Sequence, residues 1–456
     1  MKINRLFLLC FALIMGVALQ SCCDIKGDNY SMKNGMIVFD EPARAAGQES
    51  MLQFAADPIP VVRVGFVGLG MRGPSAVIRF CQIPGIEIVA LCDYEEKRAE
   101  AQQVHLRNAG LAPAAIYSGE KGYEELCKRP DVDLIYIATD WNHHFPVAKF
   151  AMENGKHAAI EVPSAMNLEQ CWDLINLSEK TRMHCFILEN CCYDDYEMKS
   201  LLMAQDGVFG EVIRAEGAYI HELSEFWKYY WKDPNDNDKD NLHWRMKYNM
   251  ENRGDVYATH GLGPVAQCLD IHRGDRFTTL IAMDTESFVG KEWVKNKTGK
   301  EPKEFRNGDH TTTLMRTAKG KVVEIQHNVM TPQPYNRLFK LTGTKGYATK
   351  YPTPEYALSG DVFKGTDAPQ VDNLNAHGFI NAEQKAAKKS KHGTTLNLYG
   401  FIRNYIHYDT RQCVAMTGEL FNVMPMDVEL NEDGKDLNDV PKMVFVSFTS
   451  RLGVDV

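Results

Sequence analysis

Gly68, Gly70 and Gly73 stand in the spacing G-x-G-x-x-G directly after an apolar run, Val61 to Val67. A second apolar run, Ile86 to Cys92, ends in Asp93, 25 positions after Gly68. Glycines so spaced let a backbone turn sharply and approach a pyrophosphate at a helix N-terminus, and an acid at that distance takes the hydroxyls of a ribose. Glycines alone would be a weak signal; strand, turn, helix and acid together point to dinucleotide binding. A carboxylate at Asp93 repels a 2′-phosphate, so NAD is expected rather than NADP. Further along, Tyr257 and His260 stand three residues apart, beside Gly261 and Gly263. An imidazole exchanges protons near neutral pH, and a phenol does so where a cation stabilises its anion. On a helix's first turn, positions three apart share a face, so both could reach one ligand. The competing reading makes His260 the cap of a helix that begins near Gly263.

The elements that must position these groups alternate in type. Strands are expected at 61–67, 86–92, 132–139, 157–162 and 184–189, with helices near 74–82, 95–109, 145–154 and 168–181. Continuously apolar strands alternating with helices imply an α/β fold on a parallel sheet covered on both faces. Trp141, Asn142, His143 and His144 follow the third of these strands, and ligands bind at the carboxyl edge of such sheets. After residue 190 the pattern changes to a helix over 194–206 and then β-rich stretches at 211–221, 277–287, 310–318, 320–329 and 337–349. Thr342-Gly-Thr-Lys-Gly346 has hairpin chemistry, so this half is expected to be an α/β domain on a large, open, mostly antiparallel sheet. Between the strands, 226–252 is a long aromatic and charged insertion with Trp227, Tyr229, Tyr230, Trp231 and Trp244, and loops of that length are usually functional.

Composition narrows the function classes. A formal charge of −9 without a basic block excludes nucleic acid as a partner. Of 12 cysteines, Cys81, Cys92, Cys171, Cys185 and Cys268 sit in apolar, regular segments, where thiols act as small hydrophobes rather than a disulfide framework. Cys191-Cys192 is a vicinal pair without metal-ligand spacing, and no CxxC or HExxH occurs, so no metal site is expected. Residues 1–22 read as an export signal: Lys2 and Arg5 precede an apolar run from Leu6 to Leu19 that is short for a membrane span. Leu19-Gln-Ser-Cys22 resembles a bacterial lipoprotein box, implying cleavage before Cys22, lipidation of that residue and anchoring to the cell membrane or outer membrane. Residues 23–60, polar and broken by Gly and Pro, read as a flexible tether. The remaining length calls for two domains, 61–190 and 191–456, and leaves homo-oligomerisation open.

With these features in view, the chain resembles the Gfo/Idh/MocA group of NAD-dependent proteins, in which a Rossmann domain precedes an α/β sheet domain. Dehydrogenases of that group typically carry Glu-Lys-Pro after the fifth strand, the lysine assisting hydride transfer. Here the match is Glu161-Val162-Pro163, and valine cannot carry a proton. Longer stretches resemble one branch, the glycosyl hydrolases acting as NAD-dependent α-N-acetylgalactosaminidases. They are Gly68-Leu-Gly-Met-Arg-Gly73, Trp141-Asn-His-His144, Ala159-Ile-Glu-Val-Pro163, Glu189-Asn190 and Gly217-Ala-Tyr-Ile-His221. His243-Trp-Arg245, Tyr257-Ala-Thr-His-Gly-Leu-Gly-Pro264, Asp270-Ile-His-Arg-Gly274, Gln326-His-Asn328 and Pro334-Tyr335 continue the match. Ala258 stands where the family usually has proline, and little after His392-Gly393 follows the family pattern.

The resemblance implies a reaction and a set of roles. Bound NAD takes hydride from carbon 3 of a sugar, which acidifies the hydrogen on carbon 2. Elimination expels the aglycone, water adds, and the returned hydride restores the hydroxyl, so no net redox change occurs. NAD-dependent glycosidases are an exception to the usual pair of flanking carboxylates. The implied cofactor contacts are Gly68, Gly70, Met71, Arg72, Gly73, Asp93, Trp141, Asn142, His143, His144, Glu161, Val162, Asn190 and Tyr257. Those to a terminal α-linked N-acetylgalactosamine are Tyr219, Arg245, Tyr257, Ala258, Thr259, His260 and Tyr335, with Tyr219, Tyr257 and His260 catalytic. The alternatives are an NAD-dependent sugar or polyol oxidoreductase, disfavoured outside the cytoplasm because fresh NAD is lacking there, and a non-catalytic sugar-binding lipoprotein. Fold does not separate the three.

Overall fold

The computed structural model describes residues 30–33, 36–39, 42–51, 54, 56, 59–83, 85–223 and 242–358. Strands β1 (Tyr30–Lys33) and β2 (Met36–Phe39) pair antiparallel, with Tyr30 opposite Phe39, in a unit of the chain that ends at Gln48. The stretch read as a tether therefore contains a short hairpin. Cys22, Trp227, Tyr229, Tyr230, Trp231 and the divergent C-terminal end lie outside the described residues.

The first domain is a six-stranded parallel sheet of β3 (Val62–Val67), β4 (Ile86–Asp93), β5 (Ala115–Ser118), β6 (Leu134–Ile137), β7 (His157–Glu161) and β8 (Cys185–Leu188). Its order is β5-β4-β3-β6-β7-β8, the doubly wound arrangement in which ligands sit where the winding reverses, between β3 and β6. Helices α1 (Gly73–Phe80), α2 (Glu96–Asn108), α3 (Gly122–Cys127), α4 (Trp141–Glu153) and α5 (Leu168–Thr181) connect the strands. Phe66, Phe80 and Tyr136 fill one face, with the Phe80 ring edge-on to the other two, while Ile135, Ile137, Val147 and Leu174 fill the other. Each such side chain, taken fully from water, contributes roughly 1.5–3 kcal/mol.

Two differences from the sequence reading arise here. Strand β5 and helix α3, four and six residues long, fall below the length at which a periodic pattern registers. Helix α4 starts at Trp141 instead of 145 because the Asp140 side chain accepts from the Asn142 N–H and caps it, with Pro146 accommodated inside.

A 3-10 turn (Asn190–Tyr193) and helix α6 (Asp195–Gln205) lead to the second domain. Its seven strands are β9 (Val212–Ile220), β10 (Phe277–Asp284), β11 (Thr311–Thr317), β12 (Val322–Asn328), β13 (Lys340–Gly343), β14 (Gly346–Thr349) and β15 (Glu355–Leu358). They are ordered β10-β11-β12-β9-β13-β14-β15, antiparallel except for the β12–β9 pair. The β-rich stretch 337–349 is the hairpin β13–β14, turning at Thr344-Lys345 inside the segment whose chemistry marks a hairpin. Helices α7 (Trp244–Glu251), α8 (Thr259–Cys268) and α9 (Val289–Thr298) complete this half as described. Helix α8 begins at Thr259, so His260 is its second residue and not a cap before Gly263.

Helix α8 lies directly on β9 through two glycines. A Cβ on Gly217 would stand 2.2 Å from the Gly261 carbonyl oxygen, and one on Gly261 would stand 2.4 Å from the Ala218 nitrogen. That close approach carries His260 to Tyr219. A further apolar cluster, with Trp141, Val162 and Ile187 from the first domain and Tyr219, Met246 and Tyr257 from the second, fixes the two carboxyl edges against each other.

Candidate active site

A cleft of about 2000 Å³ runs from the glycine turn after β3 to the end of β9. At its first end, Gly68 adopts φ +94°, and a Cβ there would strike the Ala138 carbonyl carbon at 2.5 Å. In front of Gly70 the space is open, with Arg98 Nη1 the nearest atom to a hypothetical Cβ at 3.7 Å. This backbone can accept a pyrophosphate. Gly73 does not line the cleft: a Cβ there would meet the Gly68 carbonyl oxygen at 2.1 Å, so its part is to let α1 pack on the turn. Met71 is 56% exposed and lines the cleft.

Asp93 ends β4 with both carboxylate oxygens anchored. Oδ2 accepts from the Leu69 N–H at 2.6 Å and Oδ1 from the Glu95 N–H at 3.0 Å. Each oxygen keeps a lone pair for a ribose hydroxyl. The arrangement fits a dinucleotide with a free 2′-hydroxyl.

Glu161 ends β7 and accepts at Oε1 from both Arg72 Nε (2.8 Å) and the Tyr136 hydroxyl (2.6 Å). Arg72 thus bridges the glycine turn to the Glu161-Val162 edge. Val162, Asn190, Trp141 and His143 also line the cleft, and His143 Nδ1 lies 2.6 Å from Asp140 Oδ2. The Val162–Pro163 bond is cis. Asn142, expected at the cofactor, points elsewhere: it does not line the cleft, because the helical turn faces it outward. His144 reaches the wall, but both ring nitrogens face backbone carbonyls, Pro163 O at 2.7 Å and Thr139 O at 3.1 Å. Burial holds it below the usual imidazole range, so the neutral ring has one N–H to donate to one of these carbonyls, and with both nitrogens turned to backbone it offers none to a ligand.

At the other end, three rings converge. Tyr219, Tyr257 and His260 have ring centroids 4.8 Å (Tyr219–Tyr257), 5.2 Å (Tyr219–His260) and 4.9 Å (Tyr257–His260) apart. Trp141 stacks on Tyr257 at 5.4 Å, joining this cluster to the first domain. The Arg245 guanidinium lies 5.2 Å from the Trp141 ring, 5.1 Å from Trp244 and 5.8 Å from Tyr257, and its Nε is buried with no acceptor among the described residues. Tyr335 is at the rim, edge-on to His221 at 4.9 Å. Ala258 and Thr259 do not line the cleft: Ala258 packs towards the second domain's core and the Thr259 hydroxyl is buried, so neither meets the expectation of a sugar contact.

His260 Nδ1 lies 2.7 Å from Glu189 Oε1 and 3.0 Å from Oε2. Burial pushes the Glu189 carboxyl up, but His260 and the Cys191 N–H bring it below the usual carboxylate range. Burial likewise opposes charge on His260, and the Cys191 sulfur and Glu189 carboxylate outweigh it, holding the imidazolium well above its ordinary range. Burial pushes the Tyr257 phenol up to about 12 and also raises Tyr219, against the pull of His260 and Arg245. At rest both phenols are hydrogen-bond donors and His260 carries a proton.

Three residues that line this cleft, Cys191, Arg337 and Tyr351, and the buried Glu189 behind His260 carry no role in the sequence reading. Glu189 follows β8 as Asp93 ends β4, an acid at the carboxyl edge of an apolar strand, and that was the available signal. Cys191 follows it in the 3-10 turn. Arg337 and Tyr351 line the far wall, where Arg337 pairs with Asp194 at 2.8 Å and Glu197 at 3.4 Å and Lys350 closes the network at 2.7 Å to each acid. No local pattern announces that network. All eight cysteines of the described residues are free thiols, with Cys81 and Cys171 only half-buried.

Comparison with known proteins gives this geometry its family. Residues 62–188 match the model of the oxidoreductase family with an NAD-binding Rossmann fold, so NAD is the cofactor of the first domain. Residues 193–395 match the C-terminal domain of glycosyl hydrolase 109. Glycosyl hydrolase family 109 protein 3 of Phocaeicola vulgatus is 73% identical over 392 residues, 86% of this chain and 71% of its own. Glycosyl hydrolase family 109 protein 1 of Bacteroides thetaiotaomicron is 52% identical over 380 residues, 83% of this chain and 79% of its own. Among solved structures, an NAD-binding oxidoreductase from Klebsiella pneumoniae shares the fold, with TM-score 0.51 and 19% identity over 66% of this chain and 77% of its own. With both domains matched in order and a relative at 73% identity, the chain belongs to glycosyl hydrolase family 109, a family of NAD-dependent glycosidases.

Proposed function

We propose that this glycosidase releases terminal α-linked N-acetylgalactosamine, and that Tyr219, Tyr257 and His260 handle the protons. The observation that carries the reading is their convergence, with Arg245 alongside, where the NAD-binding edge of the first sheet meets the second domain. Bound NAD supplies reversible hydride acceptance at the sugar, so hydrolysis proceeds without net oxidation. The Glu189–His260 pair rests in its proton-donating form. Its Nδ1 is held by Glu189, which leaves Nε2 to give a proton to the departing aglycone oxygen and take one back from the water that replaces it. Tyr219, edge-on to His260 and under the pull of Arg245, is assigned removal of the hydrogen at carbon 2 as its phenolate, formed when the phenol proton passes to solvent and favoured by the two neighbouring cations. Tyr257 donates a hydrogen bond to a sugar oxygen on which charge develops, and Arg245 donates to the sugar to hold it in place. Val162, where a dehydrogenase of this fold would place lysine, supports hydrolysis over net oxidation.

The test is incubation with a chromogenic α-N-acetylgalactosaminide in heavy water while the NADH absorbance is followed. Aglycone release with deuterium at carbon 2 of the sugar and no NADH accumulation is expected. Stoichiometric NADH build-up would make the protein an oxidoreductase, and release without exchange at carbon 2 would remove Tyr219 from its role. The basic start, apolar run and Leu19-Gln-Ser-Cys22 box support export and lipid attachment at Cys22. No helix of the described residues is long and apolar enough to cross a membrane. Membrane fractionation of Cys22→Ser against the parent chain tests the anchor: loss from the membrane fraction supports it, and unchanged retention overturns it.

A further inference from the structure

We propose that Glu189, Cys191 and His260 form a binding site for a zinc-type divalent cation, and that occupancy switches the enzyme off. Sequence spacing points away from a metal, because the ligands come from two domains. Glu189 follows β8, the 3-10 turn folds Cys191 back so that its N–H donates to Glu189 Oε1 at 3.0 Å, and His260 arrives on the first turn of α8. One carboxylate oxygen, the Cys191 Sγ and an imidazole nitrogen all lie within 4.8 Å of one another. Zinc bonds of about 2.0–2.3 Å place tetrahedral ligands roughly 3.3–3.8 Å apart, so modest side-chain rotation closes the set. Sulfur, nitrogen and oxygen donors together select zinc and its neighbours, whereas calcium and magnesium require oxygen throughout.

Three protein ligands leave a fourth position, and Cys191 and His260 both line the cleft, so the ion can enter there and keep a water. Binding displaces the thiol proton and the proton that His260 shares with Glu189, and both pass to solvent. An ion so held removes His260 from proton exchange. It leaves the Gly68–Gly70 turn and Asp93 untouched, so NAD stays bound. The inhibitory consequence rests on the proton role proposed above, while the binding itself does not.

The experiment uses the NAD-loaded full chain titrated with Co²⁺ as a spectroscopic stand-in for Zn²⁺. Expected are one Co²⁺ per chain, a thiolate-to-cobalt charge-transfer band abolished by Zn²⁺, loss of hydrolysis in step with occupancy, unchanged NAD content and recovery on adding EDTA. Cys191→Ser should lose the band and raise the Zn²⁺ inhibition midpoint at least tenfold, measured against its own metal-free rate. Cys192→Ser, at the neighbouring thiol, should keep both. Cobalt bound without a thiolate band, a band that follows Cys192, or no binding would each overturn the site. A spectrum as expected with no loss of hydrolysis would overturn the switch.

Discussion

His260 and Glu189 stand 71 residues apart in sequence and 2.7 Å apart in space, one on the first turn of α8 and the other following β8. Their contact joins the NAD-binding sheet to the helix that packs on β9 and brings His260 to Tyr219 and Tyr257. Glu189 is 4% exposed, and burying its charge costs several kcal/mol unless a partner compensates. His260 is that partner, and each holds the other in its charged form.

Replacing Glu189 by Gln keeps the shape and removes the charge. His260 then loses the anion that favours its protonated form, and turnover should fall roughly 10²–10⁴-fold, the range for losing a general acid–base group. His260→Ala should fall in the same range, and the double variant should cost little more than either single, because the two act as a unit. Steady-state rates of the three variants check this, with NAD content as the control. Fully additive losses would show that the two residues act separately.

Asp93→Ala removes an acceptor that holds two backbone N–H groups and is expected to take the ribose hydroxyls. Losing one charge-assisted hydrogen bond costs about 1.5–3 kcal/mol, which weakens NAD binding roughly 10- to 150-fold. Calorimetric titration of stripped protein with NAD measures it, and Asp93→Asn, which keeps one acceptor oxygen, should lie between the two.

What the sequence reveals and what it hides divide along one physical line. Gly68, Gly70 and Asp93 are legible because strand, turn and acid follow one another and local spacing alone sets their geometry. The Val162–Pro163 turn and the β13–β14 hairpin are legible for the same reason. The pairs Glu189 with His260, and Arg337 with Asp194 143 residues away, form only when distant segments pack, so no local pattern marks the pairings. Ala258 and Thr259 show the converse error. They share a stretch with Tyr257 and His260, yet neither lines the cleft, Ala258 packing instead on the second domain's core.

Arg245 offers a test of recognition. Its guanidinium sits among the Trp141, Trp244 and Tyr257 rings with Nε lacking an acceptor, a geometry that a lysine ammonium cannot reproduce. Cation–π contacts of this kind are worth about 0.5–2 kcal/mol. Arg245→Lys should therefore raise KM for the N-acetylgalactosaminide several-fold or more while the melting temperature moves little. A change confined to kcat, with KM unaltered, would place Arg245 in the chemical step instead.

The pH dependence of stability should carry the mark of His157. This residue begins β7, and its Nδ1 accepts the His184 N–H at 2.9 Å, a bond that adds to the pairing of β7 with β8. A nitrogen that accepts cannot also be protonated, and burial lowers the group from its ordinary 6.5 to about 4. In the unfolded chain the same imidazole takes its proton near pH 6.5. Between pH 6.5 and 4 the unfolded state therefore binds more protons than the folded one, and stability declines as pH falls through that window. Above pH 6.5 the contribution is fully present, and below pH 4 both states are protonated and it is gone. The full difference corresponds to about 3 kcal/mol. His157→Asn puts a non-titrating acceptor oxygen near the position of Nδ1, so it should retain the strand pairing and flatten this part of the profile. Urea unfolding of both proteins at intervals from pH 7.5 to 4 reads the difference. Parallel curves for the two would show that His157 titrates alike in the folded and unfolded chains.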